Sequence, residues 1–394
     1  MAMGALTKLL LFLAASLEIR ALYYPLREYS GSTFFDKWDY YGFVDNTTWG
    51  NVTYQDQANA TSKGLTFINA AGNAIIKVDN TTTLAAAPPG TVVNRDSIRI
   101  TSQDAYPLGT LILLDTLHIP YGCSVWPSFW TLGLQSTWPG SGEIDIVEAI
   151  NGMTRNQIAL HTPEGCNQDN TVQTPASQLQ SGTTANTDCA QPRGCIVMEN
   201  KEASFGAAFG ERGGGVYAMS MEQEGVYVWF WSRADVPSSI TTATSTSTMD
   251  TTSWGLPTAA YPASGCNITQ YFPPQNLVLL TTLCGVWAGV PSIYSSTCPG
   301  TCFADNVLGS GANYANAYWE IRYIRTYASD ASLPVSVGSA ASSTQGGGTT
   351  VVTVVTAAAG PTSGSGRTSG ALRVEVLGKG RGVVFVVLLL GFLV

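Results

Sequence analysis

Short apolar or aromatic runs, separated by glycine, proline, asparagine and serine turns, fill residues 24–327 of this 394-residue chain. Several runs alternate with period two and are rich in β-branched and aromatic residues, as half-buried strands are. No convincing amphipathic helix interrupts them. The sequence therefore predicts an all-β sandwich. The clearest runs are Ser97–Thr101, Thr110–Leu114, Gln157–Leu160, Val226–Trp231, Leu277–Thr281 and Tyr318–Tyr327.

The first 21 residues have the features of a secretory signal peptide. Lys8 precedes the apolar run Leu9–Ala15, which is followed by small and polar residues. The run is too short to span a bilayer, which takes about 20 apolar residues. We expect a signal peptide over residues 1–21, cleaved between Ser16 and Ala21, so that the folded domain occupies residues 22–328. The alternative is a buried first helix.

The composition changes after Ala328. Residues 329–370 are mostly serine, threonine, glycine, alanine and valine, which predicts a disordered and plausibly O-glycosylated stalk. The insert Ile240–Met249 is similar in composition but lies between folded runs, so we expect a loop there. Residues 371–394 hold a polar spacer and the short apolar tail Val383–Val394. With the small residues before them, they match a glycosylphosphatidylinositol (GPI) attachment signal, and Ser369 is the expected attachment residue.

The cysteines and sequons are typical of an exported protein. An even number of cysteines, eight, behind a signal peptide predicts disulfides, although eight cysteines allow 105 pairings and the sequence does not choose among them. There is no CxxC pair and only two histidines, so we expect no metal site. The predicted N-glycosylation sites are Asn46, Asn51, Asn59, Asn80 and Asn267.

The charge pattern excludes one class of partner. The formal net charge is −8 and no lysine or arginine cluster stands out, so nucleic acid is not expected as a partner. Only 12% of residues are charged, whereas aromatic, hydroxyl and amide side chains are plentiful. These groups suit the faces and hydroxyls of a neutral polysaccharide. We expect a monomer at the cell surface or in the cell wall, held at the membrane by its lipid anchor.

Residues 142–150, with the sequence GEIDIVEAI, carry the candidate chemistry. In a strand, Glu143 and Asp145 share one face, while Ile144 and Ile146 point into the core. Strict alternation would place Glu148 on the core side. One extra residue at Ile146–Val147, a β-bulge, returns Glu148 to the face of the other two acids.

Three carboxylates on one strand face repel one another, which raises at least one of their pKa values. Two carboxyl groups in different environments are what glycoside hydrolysis requires: one stays ionised as the nucleophile and the other holds a proton for the leaving group. With the bulge, two inward-leaning glutamates can approach the ~5–5.5 Å carboxyl separation of a retaining enzyme. The alternative for the bare pattern is a solvated strand face with three exposed acids.

The flanking sequence resembles glycoside hydrolase family 16, and within it the fungal laminarinase-like endo-1,3(4)-β-glucanases. The resemblance extends in order over nearly the whole folded region. It implies a β-jelly roll with a concave sugar-binding cleft. The segments that carry it are Phe34–Tyr41, Cys123–Gly133, Trp138–Ile150, Asn156–Cys166, Trp254–Pro262, Thr282–Gly289 and Tyr318–Ile324.

By position, the resemblance implies that Glu143 is the nucleophile, Glu148 the acid/base and Asp145 the assisting acid. It also places Trp126, Trp130, Trp138 and His161 in the cleft. Each of these has a structural alternative, since tryptophans are often core residues in β-sandwiches, and we expect His118 to be structural. Val286 departs from the family pattern, because relatives often carry an acidic residue there, so subsite specificity can differ.

The resemblance implies a secreted, retaining endo-β-glucanase that hydrolyses β-1,3 or mixed β-1,3/1,4 glucan without a cofactor. One alternative is a cell-wall transglycosylase of the same family, although the wall cross-linking branches typically carry the unbulged spacing E-x-D-x-E. The other alternative is a non-catalytic glucan-binding wall protein, which has no use for repulsion among three acids. The sequence leaves open the linkage preference, the natural substrate and whether a structural cation binds.

Overall fold

A computed structural model describes residues 22–88, 91–168, 179–331 and 336–337 of the chain. The predicted signal peptide, the GPI signal with Ser369, and the predicted stalk beyond residue 337 lie outside the described residues. In the part that is described, no helix has the length and apolarity needed to cross a membrane.

Two nine-stranded antiparallel sheets form the body of the molecule. The sheets pack face to face, and a continuous layer of buried apolar side chains from both sheets lies between them. The predicted all-β sandwich is therefore confirmed. In spatial order, the first sheet contains β16 (Met249–Asp250), β1 (Leu22–Ser30), β19 (Tyr318–Ala328), β8 (Thr110–His118), β14 (Gly215–Glu222), β15 (Gly225–Ser232) and β17 (Ala259–Pro262), and β5 (Ala74–Lys77) joins β19 to β4 (Thr66–Ile68).

The second sheet carries the candidate chemistry. Its strand β7 (Arg99–Tyr106) pairs with the short β20 (Ser336–Val337), so strand pairing extends into the segment predicted to be a stalk. In spatial order, the sheet contains β12 (Thr183–Asn186), β13 (Cys195–Met198), β11 (Gln157–His161), β10 (Glu143–Glu148), β9 (Val125–Gly133), β18 (Gln275–Leu283), β7 (Arg99–Tyr106) and β2 (Trp38–Tyr40), with β20 also on β7.

The remaining elements are short. A parallel pair joins β3 (Val52–Tyr54) and β6 (Arg95–Ser97). Every α-helix has between four and six residues, so the expectation of no long amphipathic helix is confirmed for the described residues. The helices are α1 (Gln57–Ser62), α2 (Ala207–Glu211), α3 (Ser238–Thr241), α4 (Ile268–Tyr271), α5 (Gly285–Ala288) and α6 (Pro291–Tyr294). Single turns of 3-10 or π-helix occur at Gly31–Thr33, Arg233–Asp235, Phe303–Val307 and Gly311–Tyr314.

Period-two alternation explains how the first sheet is buried on both faces. Along β15, Val228 and Phe230 point into the core between the sheets, while Trp229 and Trp231 point outward into a second apolar layer. Residues 236–254 cover that outward layer. The segment Ile240–Met249, expected to be a loop, begins in α3 and ends in β16. The side chains of its two terminal residues are buried in the outward apolar layer.

All eight cysteines are paired, as predicted. Two of the disulfides tie the segment 284–302 to itself and to the turn before β9, next to the candidate site. A third bridges residues 100 positions apart in sequence. The four pairs are Cys123–Cys298, Cys166–Cys266, Cys189–Cys195 and Cys284–Cys302.

The predicted N-glycosylation sites lie at the surface to different degrees. Asn46, Asn59 and Asn267 are exposed, whereas Asn51 and Asn80 are partly buried. Asn59 lies in α1, and Asn267 caps the first turn of α4 through its side-chain oxygen. Exposure permits modification but does not demonstrate it, so glycosylation at these positions stays a prediction.

Candidate active site

A β-bulge at Ile146 places the three acids on one face of the second sheet. Between β10 and β11, Asp145 lies opposite Ala159, but Glu148 lies opposite Gln157, so three steps on one strand match two on the other. The register shifts in the same place against β9. The predicted bulge is therefore confirmed. Directly opposite residues share a face, so Glu148 returns to the side of Asp145 and Glu143.

The apolar residues between the acids hold the strand in place from the other side. Ile144, Ile146 and Val147 are all fully buried in the core between the sheets. Two consecutive core residues, at the position of the bulge, are the reason that the next residue faces outward. The three acids thus form a rigid row on the outer face.

Asn156 fastens the bulge. Its side-chain nitrogen donates to the Ile146 carbonyl at 2.9 Å, and its side-chain oxygen accepts from the Glu148 backbone N–H at 2.9 Å. Asn156 is itself buried, and its own backbone N–H donates to Ser204 Oγ at 3.0 Å. The two bonds satisfy backbone groups that the bulge removes from the ladder, so Asn156 fixes the backbone from which Glu148 projects.

Glu143 is surrounded by an aromatic donor, an imidazole and a second acid. Trp138 Nε1 donates to Glu143 Oε2 at 2.8 Å. His161 Nε2 lies 3.9 Å from Glu143 Oε1 and 3.4 Å from Asp145 Oδ2. The imidazole therefore lies close to both carboxyls, and the Trp138 ring, 52% exposed, stands beside them at the surface.

Glu148 has a separate set of neighbours. Trp126 Nε1 donates to Glu148 Oε1 at 2.9 Å, and the side chain of Gln157 also hydrogen bonds to this carboxyl. The Trp126 ring meets Trp287 edge to face, with 5.3 Å between the ring centroids. Trp126 thus contacts the Glu148 carboxyl directly, a contact that the sequence did not indicate.

Burial raises the pKa of all three carboxyls. The pKa of Glu143 is raised to about 8 by burial and by the neighbouring Asp145 charge, and that of Glu148 to about 8 by burial and again by Asp145. The pKa of Asp145 is raised to about 8 by burial alone. Because the three groups repel one another, they do not all ionise together, and some of them keep a proton near neutral pH.

The acid row continues across the sheet as an aromatic and polar surface. Trp130 lies opposite Asp145 on β9, and its ring lies under the guanidinium of Arg99, with 5.5 Å between the guanidinium carbon and the ring centroid. Within the described structure, Ser128 Oγ, Trp130 Nε1 and His161 Nδ1 are buried and make no hydrogen bond. Unpaired polar groups beside titratable acids are typical of a surface that receives a polar ligand.

Glu143, Asp145 and His161 also form a group with metal-ligand chemistry, since one potential ligand atom from each lies within 4.8 Å of the others.

His118, by contrast, lies on the first sheet. It stacks on Tyr318 with 3.8 Å between ring centroids, and its Nδ1 bonds to the Tyr318 carbonyl at 2.7 Å. The structure thus brings together all seven residues expected in the site and leaves His118 outside it.

Sequence reasoning gave no role to Asn156, Gln157, Arg99 or Trp287. Asn156 and Trp287 lie within segments that carry the family resemblance, but nothing in their spacing reveals a contact with the bulge or with Trp126. A signal exists for Arg99, because it lies within the apolar strand run Ser97–Thr101, and the structure shows that it is nine-tenths buried. A charged residue at such a position requires a partner.

Known proteins are similar to this chain in sequence and in fold. Residues 38–327 match the family described as the XgeA-like, catalytic GH16 domain. A probable glycosidase, C21B10.07 of Schizosaccharomyces pombe, is 36% identical over 312 residues, which are 77% of this chain and 69% of the relative. The chain spans about half the length of the Aspergillus and Neosartorya relatives it matches, which are named probable endo-1,3(4)-beta-glucanases.

Two solved structures are similar over most of the described chain. Laminarinase 16A from Phanerochaete chrysosporium, solved with β-glucans in both donor and acceptor sites, is 35% identical with a TM-score of 0.71, and the match covers 78% of this chain and 100% of that one. An elongating GH family 16 β-1,3-glucosyltransferase is 36% identical with a TM-score of 0.67, covering 77% and 99%.

Proposed function

The chain belongs to glycoside hydrolase family 16, and from this premise we propose that it hydrolyses β-1,3 or mixed β-1,3/1,4 glucan with retention of configuration. The observation that carries the proposal is the bulged strand, which sets Glu143, Asp145 and Glu148 on one face with separate surroundings. Aromatic rings and unpaired polar atoms beside the acids supply surfaces for sugar rings and hydroxyls.

Glu143 acts as the nucleophile in this proposal. Burial and Asp145 raise the pKa of Glu143. The nearby His161 imidazole and the hydrogen bond from Trp138 oppose that rise and favour the charged form of Glu143. Its carboxylate attacks the anomeric carbon while Glu148 gives its proton to the departing glycosidic oxygen. The bond to that oxygen breaks and a glycosyl-enzyme ester forms.

Glu148, now ionised, takes a proton from water, and the water oxygen displaces Glu143 from the sugar. Glu148 regains its proton and Glu143 its charge, so the enzyme returns to its first state. Asp145 lies between the two glutamates, and burial first, followed by the interaction with Asp145, raises the pKa of Glu148 and keeps it protonated. Two displacements at one carbon preserve the β configuration.

Product stereochemistry tests the proposal. NMR of the first sugar released from laminarin should show the β anomer before mutarotation, and Glu143→Gln should abolish turnover. An α anomer would mean a single displacement and would refute the assigned roles. Reducing ends formed from xyloglucan or chitin, but not from laminarin or lichenan, would refute the substrate class.

Since no step uses a metal ion, chelation with EDTA should leave the rate unchanged.

Transglycosylation is the second candidate, because a similar structure is an elongating β-1,3-glucosyltransferase. The two reactions share the glycosyl-enzyme and differ in whether water or a sugar hydroxyl accepts it. Incubation with a laminari-oligosaccharide separates them. Both reactions release a shorter leaving group, so products that are all shorter than the substrate indicate hydrolysis, whereas products longer than the substrate indicate transfer.

We also propose that the protein is exported and held at the cell surface by a GPI anchor. Four disulfides within the described residues suit an oxidising compartment. Phosphatidylinositol-specific phospholipase C should release the protein from membranes of a producing fungal cell. Retention after that treatment would contradict the anchor.

A further inference from the structure

A surface cavity of about 630 Å³ lies beside the active-site sheet. None of the seven residues predicted for the active site lines it. We call it the Trp49 cavity. Loop residues Trp49 and Asn51 form one wall, and parts of the segment 284–303 form the other. Its volume falls within the ~300–1,000 Å³ of small-molecule sites.

Asp45 holds the loop that presents Trp49. The Asp45 carboxylate accepts hydrogen bonds from the backbone N–H groups of Thr47, Thr48 and Gly50, at 3.0–3.1 Å. It also accepts from Thr282 Oγ1 at 2.7 Å, which fixes the loop to β18. Burial opposes the charge, but these hydrogen bonds lower the pKa of Asp45 below its ordinary value, so the anchor stays ionised.

The loop has no space to shift inward. A Cβ at Gly50 would lie 1.8 Å from Thr282 Oγ1, and one at Gly285 would lie 2.5 Å from the Thr48 carbonyl. Trp49 itself has φ 56°, a conformation unusual for a bulky residue. Despite this constraint, its side chain is 70% exposed. The constrained backbone thus holds a large apolar ring in solvent, an arrangement that often marks a binding surface.

The opposite wall is equally firm. Cys284 and Cys302 line the cavity and are bonded to each other, and Cys298 on the same segment is bonded to Cys123. A preformed site binds its ligand at a lower entropic cost.

The lining is chemically neutral. Apart from Trp49, it offers aromatic Tyr294 and Phe303 with the hydroxyls of Ser292 and Ser295, and none of the described residues that line it is charged. Ring faces and hydroxyls together suit a neutral pyranose and offer nothing for a phosphate or an ionic peptide.

We propose that the Trp49 cavity is a second carbohydrate-binding site, which holds a distant stretch of the β-glucan polymer that the active site cleaves. This inference rests on the proposed function for the identity of the polymer. Two contacts connect the cavity to the active-site face. Trp287, on the same helix as Gly285, meets Trp126 edge to face, and Thr47 accepts a hydrogen bond from Arg99 at 3.3 Å.

Affinity electrophoresis of the full chain in laminarin gels tests the proposal. The Glu143→Gln background prevents digestion, and in it Trp49→Ala should weaken laminarin binding roughly three- to tenfold. Phe303→Ala should act in the same direction, which guards against a folding defect peculiar to Trp49→Ala. Phe67→Ala, which removes an exposed aromatic ring from the first sheet, is the control and should change nothing.

Turnover separates this site from the active site. With Glu143 intact, Trp49→Ala should raise KM for long laminarin but leave the hydrolysis of laminaritetraose unchanged, because so short a chain does not need the cavity. Laminarin binding equal to that of the parent chain in both cavity variants would overturn the proposal. A loss on laminaritetraose equal to that on laminarin would also overturn it.

Two further outcomes are distinguishable. Asn51 lines the cavity and is a predicted glycosylation site, so its own glycan offers the same chemistry. If binding depends on Trp49 only in an Asn51→Gln chain, the glycan occupies the cavity and the proposal is overturned. A wild-type chain that cleaves no β-glucan would overturn the proposed function, whereas cleavage with no effect of Trp49→Ala would overturn only the second site.

Discussion

Individual carboxyls differ in this site through their neighbours. Glu148 contacts Trp126 and Gln157, whereas Glu143 contacts Trp138 and lies near His161. These contacts came from the folded structure. The sequence predicted which acids share a face, because strand periodicity and two consecutive apolar residues decide that. It could not supply the partner of each acid, because the partners come from strands and loops distant in the chain.

The acid role proposed for Glu148 predicts a dependence on the leaving group and on pH. Glu148→Gln should reduce hydrolysis of laminari-oligosaccharides at least about a hundredfold, but that of activated aryl β-glucosides far less, since a good leaving group needs no proton. The pKa of Glu148 is raised to about 8, so wild-type kcat/KM should fall as pH rises through that value. The variant, assayed with an aryl glycoside, should lose that fall. Equal losses on both substrates would show that the acid is misassigned.

Repulsion among the acids also predicts an effect on stability. Because their pKa values are raised on folding, the folded chain holds more protons than the unfolded chain between about pH 4.5 and about pH 8, so its stability falls as pH rises through that window. Asp145→Asn should therefore raise Tm at pH 8, by roughly 2–4 °C for each kcal/mol gained, and lower kcat. Calorimetry at pH 5 and pH 8 measures the difference.

Asp115→Asn is the matched control for that substitution. Asp115 is also buried, but it pairs with Arg233 at 2.6 Å and Arg322 at 3.2 Å. Removing its charge leaves cations without a partner, so Tm should fall. A fall in Tm for Asp145→Asn as well would contradict the account of repulsion.

At the scale of elements, the bulged strand β10 depends on a residue outside it. The core side chains decide that an extra residue is present, and Asn156 satisfies the backbone groups that this residue frees. The bulge could be predicted from GEIDIVEAI alone. Its clamp could not, because no local pattern in NQIALH indicates which backbone groups an asparagine will meet. Likewise, the covering role of residues 236–254 arises from burial against β15, which their serine- and threonine-rich sequence conceals.

Asn156→Ala should impair the proposed acid, Glu148, by loosening the backbone that positions it. Two buried backbone groups lose their partners, at a cost of about 1–3 kcal/mol in the free energy of unfolding. Since Glu148 then projects from a looser backbone, turnover of oligosaccharides should fall more than that of aryl glycosides. Asn276→Ala is the control, because Asn276 is also buried and donates to backbone carbonyls, those of Ser102 and Asp104. It should lower stability without changing the ratio between substrates. The same ratio in both variants would limit Asn156 to a structural role.

Across the whole molecule, the disulfides join segments that are far apart in the chain. The sequence predicted that all eight cysteines pair, because a predicted signal peptide and an even count suffice for that inference. It could not predict which cysteines pair, since connectivity follows from which loops the sheets bring together. The sequence separations of the bridged cysteines differ widely, from 6 for Cys189–Cys195 through 100 for Cys166–Cys266 to 175 for Cys123–Cys298.

This difference predicts an order of stability. In the chain-entropy model, replacing Cys166 and Cys266 by alanine should lower the free energy of unfolding by about 4.7 kcal/mol, and replacing Cys189 and Cys195 by about 2 kcal/mol. Denaturant titration of the two double variants measures both losses. The reverse order would show that strain or residual structure outweighs the closure of long loops.

The two tryptophan groups give the molecule a built-in optical probe. Trp229, Trp231 and Trp254 form a closed layer under residues 236–254, away from the acids, whereas Trp138 stands half in solvent beside Glu143. A soluble quencher such as iodide reaches the exposed rings of Trp138 and Trp49 but is shielded from the closed layer, so a Trp49→Ala chain isolates the accessible emission of Trp138. A glucan bound over Trp138 would protect its fluorescence, while detachment of the cover would make the inner layer quenchable, so occupancy and local opening can be read separately from one unlabelled sample.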